Sequence, residues 1–475
     1  MKRAADIIAE PIRNLVDLSF KQGIFPDHLK TAIVTPIYKS GDKQSLGNYR
    51  PISILRTLSK VLEKCMVKRM MSFLSKYSII TPHQYGFLPG LSTFNAINSI
   101  LEHVYDAFNE KQHCVSVFLD LKKAFDTVDH CILLRKLEYY GFRGKVLSWF
   151  ASYLKNRTQK VRIGNTLSDT VVTNIGIPQG SNIGPVLFLI FINDCTVASD
   201  VALYSLFADD TALSFKSTSM FDLINSVNTE LTKVYKWLQA NKLTLNTAKT
   251  EWILFSTAKG YVVPQNGVLI DNLPIARVYS VKYLGVLIDS NLNFCDHIIY
   301  ISKKVSKTLG VLFRLRNLLS IEARINLYYA LIYPYIMYCI LVWGKTYDSH
   351  LNRLILLQKK IVRIITNSAY DAHTLPLFYQ TKILKIKDVY KYFLGQYSFT
   401  SNLEGNFTYP THDINTRNAG NPIPQFARLN ITQRSLKYCA PSLFNSLPSE
   451  IRNCNKIPKF KKMYRNYLLE GYSET

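Results

Sequence analysis

At 475 residues and 48% hydrophobic content the chain is long enough for two or three domains with cores of their own and agrees with a folded protein. Its formal charge is +25, of which +16 lies in residues 276–475, and its 30 Tyr and 25 Phe suit a polyanionic partner with stackable bases. Eight scattered cysteines without a CxxC pair or a Cys/His knuckle spacing indicate neither structural zinc nor a disulfide framework and fit a reducing intracellular compartment.

In chain order, MKRAADIIAEPIRNL is amphipathic rather than signal-like, and a helix is expected to about residue 22. The β-branched run 32–38 predicts a strand ending at a Lys-Ser-Gly turn, and residues 48–55 a second extended piece, since Arg50 precedes Pro51. Amphipathic helices follow over 59–76 and 91–108. The run VSVFLD (115–120) reads as a strand ending at Asp120, with a helix expected directly after it and another over 133–140. Arg157, Lys160 and Arg162 decorate an expected hairpin that runs through Val172. GIPQGSNIGPVLFLIFIND (176–194) is a Gly-rich loop opening a helix that tolerates Pro185 in its first turns. Being apolar nearly all round, that helix belongs beneath a sheet. SLFADDTAL (205–213) predicts a hairpin with two aspartates at its tip. A helix is expected over 221–240, a loop and strand over 241–255, and one strand with a central Gly285 over 281–294. From His297 the pattern is mainly helical and basic, and 397–433 is the least regular stretch. The uncharged run 327–343 is interrupted by Pro334 and studded with Tyr, so it reads as a buried helix pair rather than a membrane span.

The aspartates carry the chemistry. Joining a primer hydroxyl to a nucleotide passes through a charged in-line transition state that two divalent ions clamp from both sides, and Mg²⁺ needs hard oxygen ligands. Asp120 at a strand's carboxyl end, with Asp209 and Asp210 in a tight turn about 90 residues later, supplies them. An isolated Asp-Asp turn is most often structural, because Asp bonds its own backbone there. Since neighbours in a strand face opposite ways, Asp209 is expected to share ions with Asp120, and Asp210 to be secondary. The order strand, helix, helix, hairpin, helix, strand is a split βαβ arrangement that would bring the carboxylates together.

These motifs, in this order from about residue 25 to residue 294, resemble the reverse transcriptase of a jockey-type non-LTR retrotransposon. RSLKYCAPSLFNSLP (434–448) extends the resemblance towards the carboxyl end. It implies an α+β right-hand polymerase: an N-terminal helix over 1–24, fingers and palm with an antiparallel split-βαβ sheet over 25–290, a thumb-like helical segment over 291–345, and a basic, mostly helical region over 346–475. It implies that Asp120, Asp209 and Asp210 are the catalytic, metal-holding carboxylates for two Mg²⁺ ions, with Mn²⁺ as an alternative. Lys39 and Arg50 resemble the residues that grip the incoming triphosphate. Phe125 matches a steric gate against a 2′-hydroxyl, and Pro178, Gln179 and Gly180 the loop supporting template and nucleotide. Lys249 matches a proton donor to departing pyrophosphate, and Tyr283, Leu284 and Gly285 the primer grip.

The implied function is RNA-directed DNA synthesis from dNTPs on an RNA template, with a DNA primer or target DNA, no membrane, and a nuclear target site. A catalytically inactive nucleic-acid-binding relic and another reverse transcriptase, such as an intron maturase, are the alternatives. Related elements carry an endonuclease upstream of the polymerase, and this chain starts just before the fingers, so it is not expected to nick its own target.

Overall fold

The computed structural model describes residues 5–258, 260, 262–265, 267–410 and 420–473. Helix α1 (Ala5–Gln22) precedes β1 (Thr31–Tyr38) and β2 (Tyr49–Ile54), which pair antiparallel with Ile37 opposite Arg50. Helices α2 (Thr57–Lys76) and α3 (Thr93–Asn109) lead into β3 (His113–Leu119). Then come α4 (His130–Tyr139), α5 (Lys145–Leu154), β4 (Arg157–Ile163), β5 (Thr166–Leu167), β6 (Val171–Thr173) and α6 (Gly184–Ile192). The hairpin β7 (Leu203–Phe207) and β8 (Asp210–Ser217) is followed by α7 (Met220–Ala240) and β9 (Glu251–Phe255).

Strand β3 is buried on both faces, as its run HCVSVFL requires. It lies at the centre of a sheet ordered β12-β9-β3-β8-β7, where β12 is Ala276–Arg277 and runs parallel to β9, while the other pairs are antiparallel. Leaving out β12, the order is that of a split βαβ unit. Val115, Val117 and Leu119 pack on one side with α6 and α7. Every residue of α6 except Pro185 is buried, which is why its sequence carries no polar stripe. A second sheet, ordered β2-β1-β4-β5 with β6 on β4, holds the β1–β2 hairpin.

On its other face β3 sends Cys114 and Phe118 into a core shared with α3 and with the helices that follow. The short pair β10 (Leu269–Ile270) and β11 (Leu273–Pro274) precedes β12, and the hairpin β13 (Ser280–Tyr283) and β14 (Val286–Asp289) follows it. The helices are α8 (Cys295–Leu315), α9 (Ile321–Leu331), α10 (Tyr333–Met337), α11 (Ile340–Trp343), α12 (Asp348–Thr366), α13 (Thr374–Thr381), α14 (Ile386–Leu403), α15 (Leu436–Ser446), α16 (Ser449–Arg452) and α17 (Ile457–Glu470). The same core continues from Ile97 to Tyr472, so the basic carboxyl-terminal helices and the central sheet share one apolar interior.

Four expectations need correction. No helix follows Asp120: the backbone N–H of Lys122 goes to Thr244 O at 2.8 Å, Lys123 adopts φ +50°, and α4 starts only where Asp129 accepts from the N–H groups of Cys131 and Ile132. Residues 281–294 form a hairpin rather than one strand, with Leu284 (φ +44°) and Gly285 (φ +84°) as its turn. A Cβ on Gly285 would stand 3.3 Å from the Tyr338 ring. Arg157 is buried and donates to Tyr153 O at 3.2 Å over the Tyr153 ring, so only Lys160 and Arg162 of that trio remain for the surface. The run 327–343 breaks into the end of α9, α10 with Pro334 in its first turn, and α11; among the described residues no helix is long and apolar enough to cross a membrane. Residues 1–4 of the expected first helix and 411–419 of the irregular stretch lie outside the described residues.

Buried Glu102 on α3 ties the two halves together. Its carboxylate accepts Ser435 Oγ at 2.6 Å and the Leu436 N–H at 2.8 Å, the first groups of α15. Glu102→Ala leaves both donors unpaired in the interior and is expected to cost about 2–3 kcal/mol. A urea melt should show a lowered midpoint, with Glu102→Gln recovering most of the loss because it keeps an acceptor.

Candidate catalytic site

The register of β3 with β8 sets Phe118 opposite Ala212 and Leu119 opposite Thr211, so one step further Asp120 stands across from Asp210. Ser116 and Ser214, on the face of Phe118 and Ala212, share a hydrogen bond of 2.7 Å that marks which sides of the two strands coincide. Phe207 pairs with Asp210, leaving Ala208 and Asp209 as the turn, with Ala208 at φ +57°. Asp209 is therefore in the turn and Asp210 opens β8. Strand alternation does not choose between them, and Asp210 is the one directly opposite Asp120.

Electrostatics place all three carboxylates within one another's reach. Burial raises the pKa of Asp209, and the negative charge of Asp120 adds to it, while Arg50 and Lys39 pull it back. Asp210 is pushed up to about 6 by burial, then by Asp209 and Asp120, against Lys39. The two cations flank the β1–β2 hairpin, where the Lys39 N–H meets Asn48 O at 2.8 Å, and they act on the aspartate turn from far away in sequence.

Asp120 is held from the segment before β9. Asn246 Nδ2 donates to its Oδ2 at 2.7 Å, the Asn246 N–H to its carbonyl at 2.8 Å, and its own N–H reaches Thr250 Oγ1 at 3.4 Å. Lys249 is exposed immediately before Thr250.

Phe125 is half-buried and stacked on Phe188 with centroids 4.4 Å apart. Its carbonyl accepts the Ile177 N–H at 2.8 Å, and the Gln179 side chain donates to Asp126 Oδ1 at 2.8 Å. On its other side the loop meets β2: the Ser53 N–H reaches Gln179 O at 2.7 Å, and a Cβ on Gly180 (φ +126°) would sit 2.5 Å from Ser53 O. Phe125, the Pro178-Gln179-Gly180 loop and the strand bearing Arg50 are thus one connected group. Tyr283 is buried beneath the aspartate hairpin, its ring 5.0 Å from that of Phe118 and its hydroxyl donating to Ser205 O at 3.2 Å. Tyr338 anchors the neighbouring turn by donating to Leu284 O at 2.6 Å.

Among the described residues no three His, Cys, Asp or Glu side chains are gathered tightly enough to cage a metal alone. Magnesium binds through one or two carboxylates and completes its octahedron with water and substrate phosphates. An open set of hard carboxylate oxygens facing two cations fits that ion, and Mn²⁺ by the same chemistry.

Sequence reasoning missed three supporting residues. Gln84 is fully buried, and its Oε1 accepts the Ala208 N–H at 3.1 Å and the Gly86 N–H at 2.8 Å. The flanking backbone bridges to β7, with the Tyr85 N–H on Leu206 O at 2.8 Å and the Leu206 N–H on His83 O at 2.9 Å. Asn246 and Asp126 are the others. Their only sequence signal is a short polar residue beside a turn, shared by many loops.

Because the native pKa of Asp210 lies above its ordinary value of 3.8, folding favours the protonated form there. The cost of ionising it in the fold is absent below about pH 4 and complete above about pH 6. Asp210→Asn in the absence of divalent ions is expected to raise the melting temperature at pH 7.5, with the gain vanishing as the pH falls to 4. The carboxylate is exposed on one side, so screening keeps the gain to about 1 kcal/mol or less.

Residues 37–288 match the family described as "Reverse transcriptase (RNA-dependent DNA polymerase)". The "Probable RNA-directed DNA polymerase from transposon X-element" of Drosophila melanogaster is 30% identical over 77% of this chain and 40% of that protein. The "RNA-directed DNA polymerase from mobile element jockey" of the same organism is 28% identical over 81% of this chain and 43% of that protein, in keeping with the jockey-type resemblance. Among solved structures, apo telomerase from Candida Tropicalis aligns with a TM-score of 0.43 at 10% identity, over 84% of this chain and 71% of that one. The chain spans about two fifths of the length of these two transposon relatives. On the extent of the family match, the chain belongs to the reverse transcriptase family.

Proposed function

We propose that the chain is an RNA-directed DNA polymerase of a jockey-type non-LTR retrotransposon, with fingers and palm over 25–290, a thumb over 291–345 and a basic extension over 346–475. The observation that carries this reading is the meeting of Asp120 with Asp209 and Asp210 under the charges of Lys39 and Arg50. Template RNA and primer lie across the basic surface, and dNTPs enter beside the aspartate turn.

Bound divalent ions supply charge neutralisation on the phosphates and a more acidic primer hydroxyl. Asp120, Asp209 and Asp210 would hold them through their carboxylate oxygens. The primer 3′-hydroxyl gives up its proton to solvent as its oxygen forms a bond to the α-phosphorus, while the bond from that phosphorus to the bridging oxygen breaks, releasing pyrophosphate. Arg50 grips the triphosphate with a bidentate fork and Lys39 with a point charge. Lys249 gives a proton to the departing pyrophosphate. Phe125, braced by Phe188, abuts the sugar at C2′ and excludes a hydroxyl there. Gln179 and Gly180 support the templating pair, and Tyr283, Leu284 and Gly285 seat the primer.

Asp209→Asn is expected to lower primer extension on an RNA template about 10³-fold, the loss of several kcal/mol of transition-state charge stabilisation, with template binding unchanged. Unaltered incorporation would refute the site, and an unmodified protein that binds RNA but never extends a primer would favour the relic. Phe125→Val is expected to raise ribonucleotide use relative to deoxyribonucleotide use by about tenfold or more. A ratio that stays put counts against the gate.

A further inference from the structure

Away from the aspartates, α9, α10, α14 and α17 enclose a cavity of about 270 Å³ lined by Tyr328, Tyr329, Tyr333, Leu384, Tyr392 and Arg465. Its scale is that of one planar ring system rather than of a drug-sized ligand. The Tyr329 and Tyr333 rings stand edge to face with centroids 5.3 Å apart, and Tyr392 lies nearly parallel to Tyr464. Tyr328 is fixed from behind, its hydroxyl accepting from Gln358 Nε2 at 3.1 Å.

Arg465 donates to the Tyr329 hydroxyl at 3.1 Å and to Lys382 O at 2.9 Å. None of the ion pairs among the described residues involves Arg465, Lys382 or Lys461, the last one helical turn before Arg465 and, like Lys382, exposed. The hydroxyls of Tyr333 and Tyr392 make no hydrogen bond among the described residues, although both side chains are half-buried. Tyr329, Tyr333 and Tyr392 all lie within the field of the Arg465 guanidinium.

Aromatic faces, free hydroxyls and an uncompensated cation at the mouth are the chemistry of a site for one nucleobase with its phosphate outside. We propose that this cavity takes a base from a single strand of nucleic acid, with Tyr333 and Tyr392 contacting the base and Arg465, Lys382 and Lys461 the backbone. The proposal rests on the nucleic-acid reading above but concerns a cavity, between the thumb segment and the basic extension, to which that reading gives no role. An apolar small molecule would have no use for the cations, and a duplex would keep its bases stacked out of reach.

The test is photo-cross-linking of the full, unaltered chain to 12-nucleotide single strands, one RNA with 5-iodouridine and one DNA with 5-iododeoxyuridine, followed by mass spectrometry of the cross-linked peptides. Cross-links at Tyr329, Tyr333 or Tyr392 that unlabelled single strand competes away and duplex does not are expected, and the two arms say whether RNA, DNA or both enter. In parallel, Tyr333→Leu/Tyr392→Leu and Arg465→Gln should each weaken single-strand binding about tenfold, with Tyr392→Phe, which keeps the ring and loses only the hydroxyl, retaining most of the affinity and extension of a short hairpin primer unchanged. A chain that extends primers but cross-links elsewhere, or whose variants bind like the wild type, overturns the cavity assignment. A chain that cross-links at the cavity yet extends no primer overturns the polymerase reading and leaves the cavity standing.

Discussion

The pairing of β3 with β8 in the register that sets Leu119 against Thr211 is the constraint on which the site depends. A slip of one residue would turn every side chain of one strand to the opposite face, carrying Asp120 away from Asp210. Three features forbid it. Both faces of β3 are buried in separate cores, so neither side tolerates its neighbour's residues. Ser116 and Ser214 spend their buried hydroxyls on each other. Strand β9 locks the other edge, with Val117 opposite Trp252.

Burying and gathering three carboxylates works against the fold: burial first, and the neighbouring carboxylates after it, raise the pKa of Asp209 and Asp210. The surroundings hold the arrangement by hydrogen bonds rather than by neutralising it. Gln84 fixes the strained Ala208 turn, Asn246 fixes Asp120, and Lys39 and Arg50 stand close enough to lower the repulsion without closing ion pairs among the described residues. A charge deficit left open in this way is what a cation-dependent phosphate site requires.

Much of this was legible in the residues because the chemistry is local. A strand run ending in Asp, an Asp-Asp turn between apolar strands and an all-apolar helix behind a Gly-rich loop each carry their own signal, and the chain-order pattern of the central sheet followed from periodicity. What was not legible depends on partners distant in sequence. The stretch after Asp120 has residues fit for a helix, yet its backbone groups bond to Thr244 and Ile177 instead. Gln84 looks like any loop glutamine until the β7–β8 turn lies against it. Arg157 reads as a surface cation, and only the Tyr153 ring and carbonyl reveal a buried one. The hairpin at Leu284 and Gly285 was readable from its glycine, but the unbroken apolar run hid the turn.

The most direct test of the proposed shared ion site adds Fe²⁺ in place of Mg²⁺ and lets peroxide generate hydroxyl radicals at any bound ion, which cut the nearby backbone. Cleavage near residue 120 and near residues 209–210 together, both lost in Asp120→Asn, is the predicted result. Cuts confined to one of those segments, or falling in neither, would contradict the account.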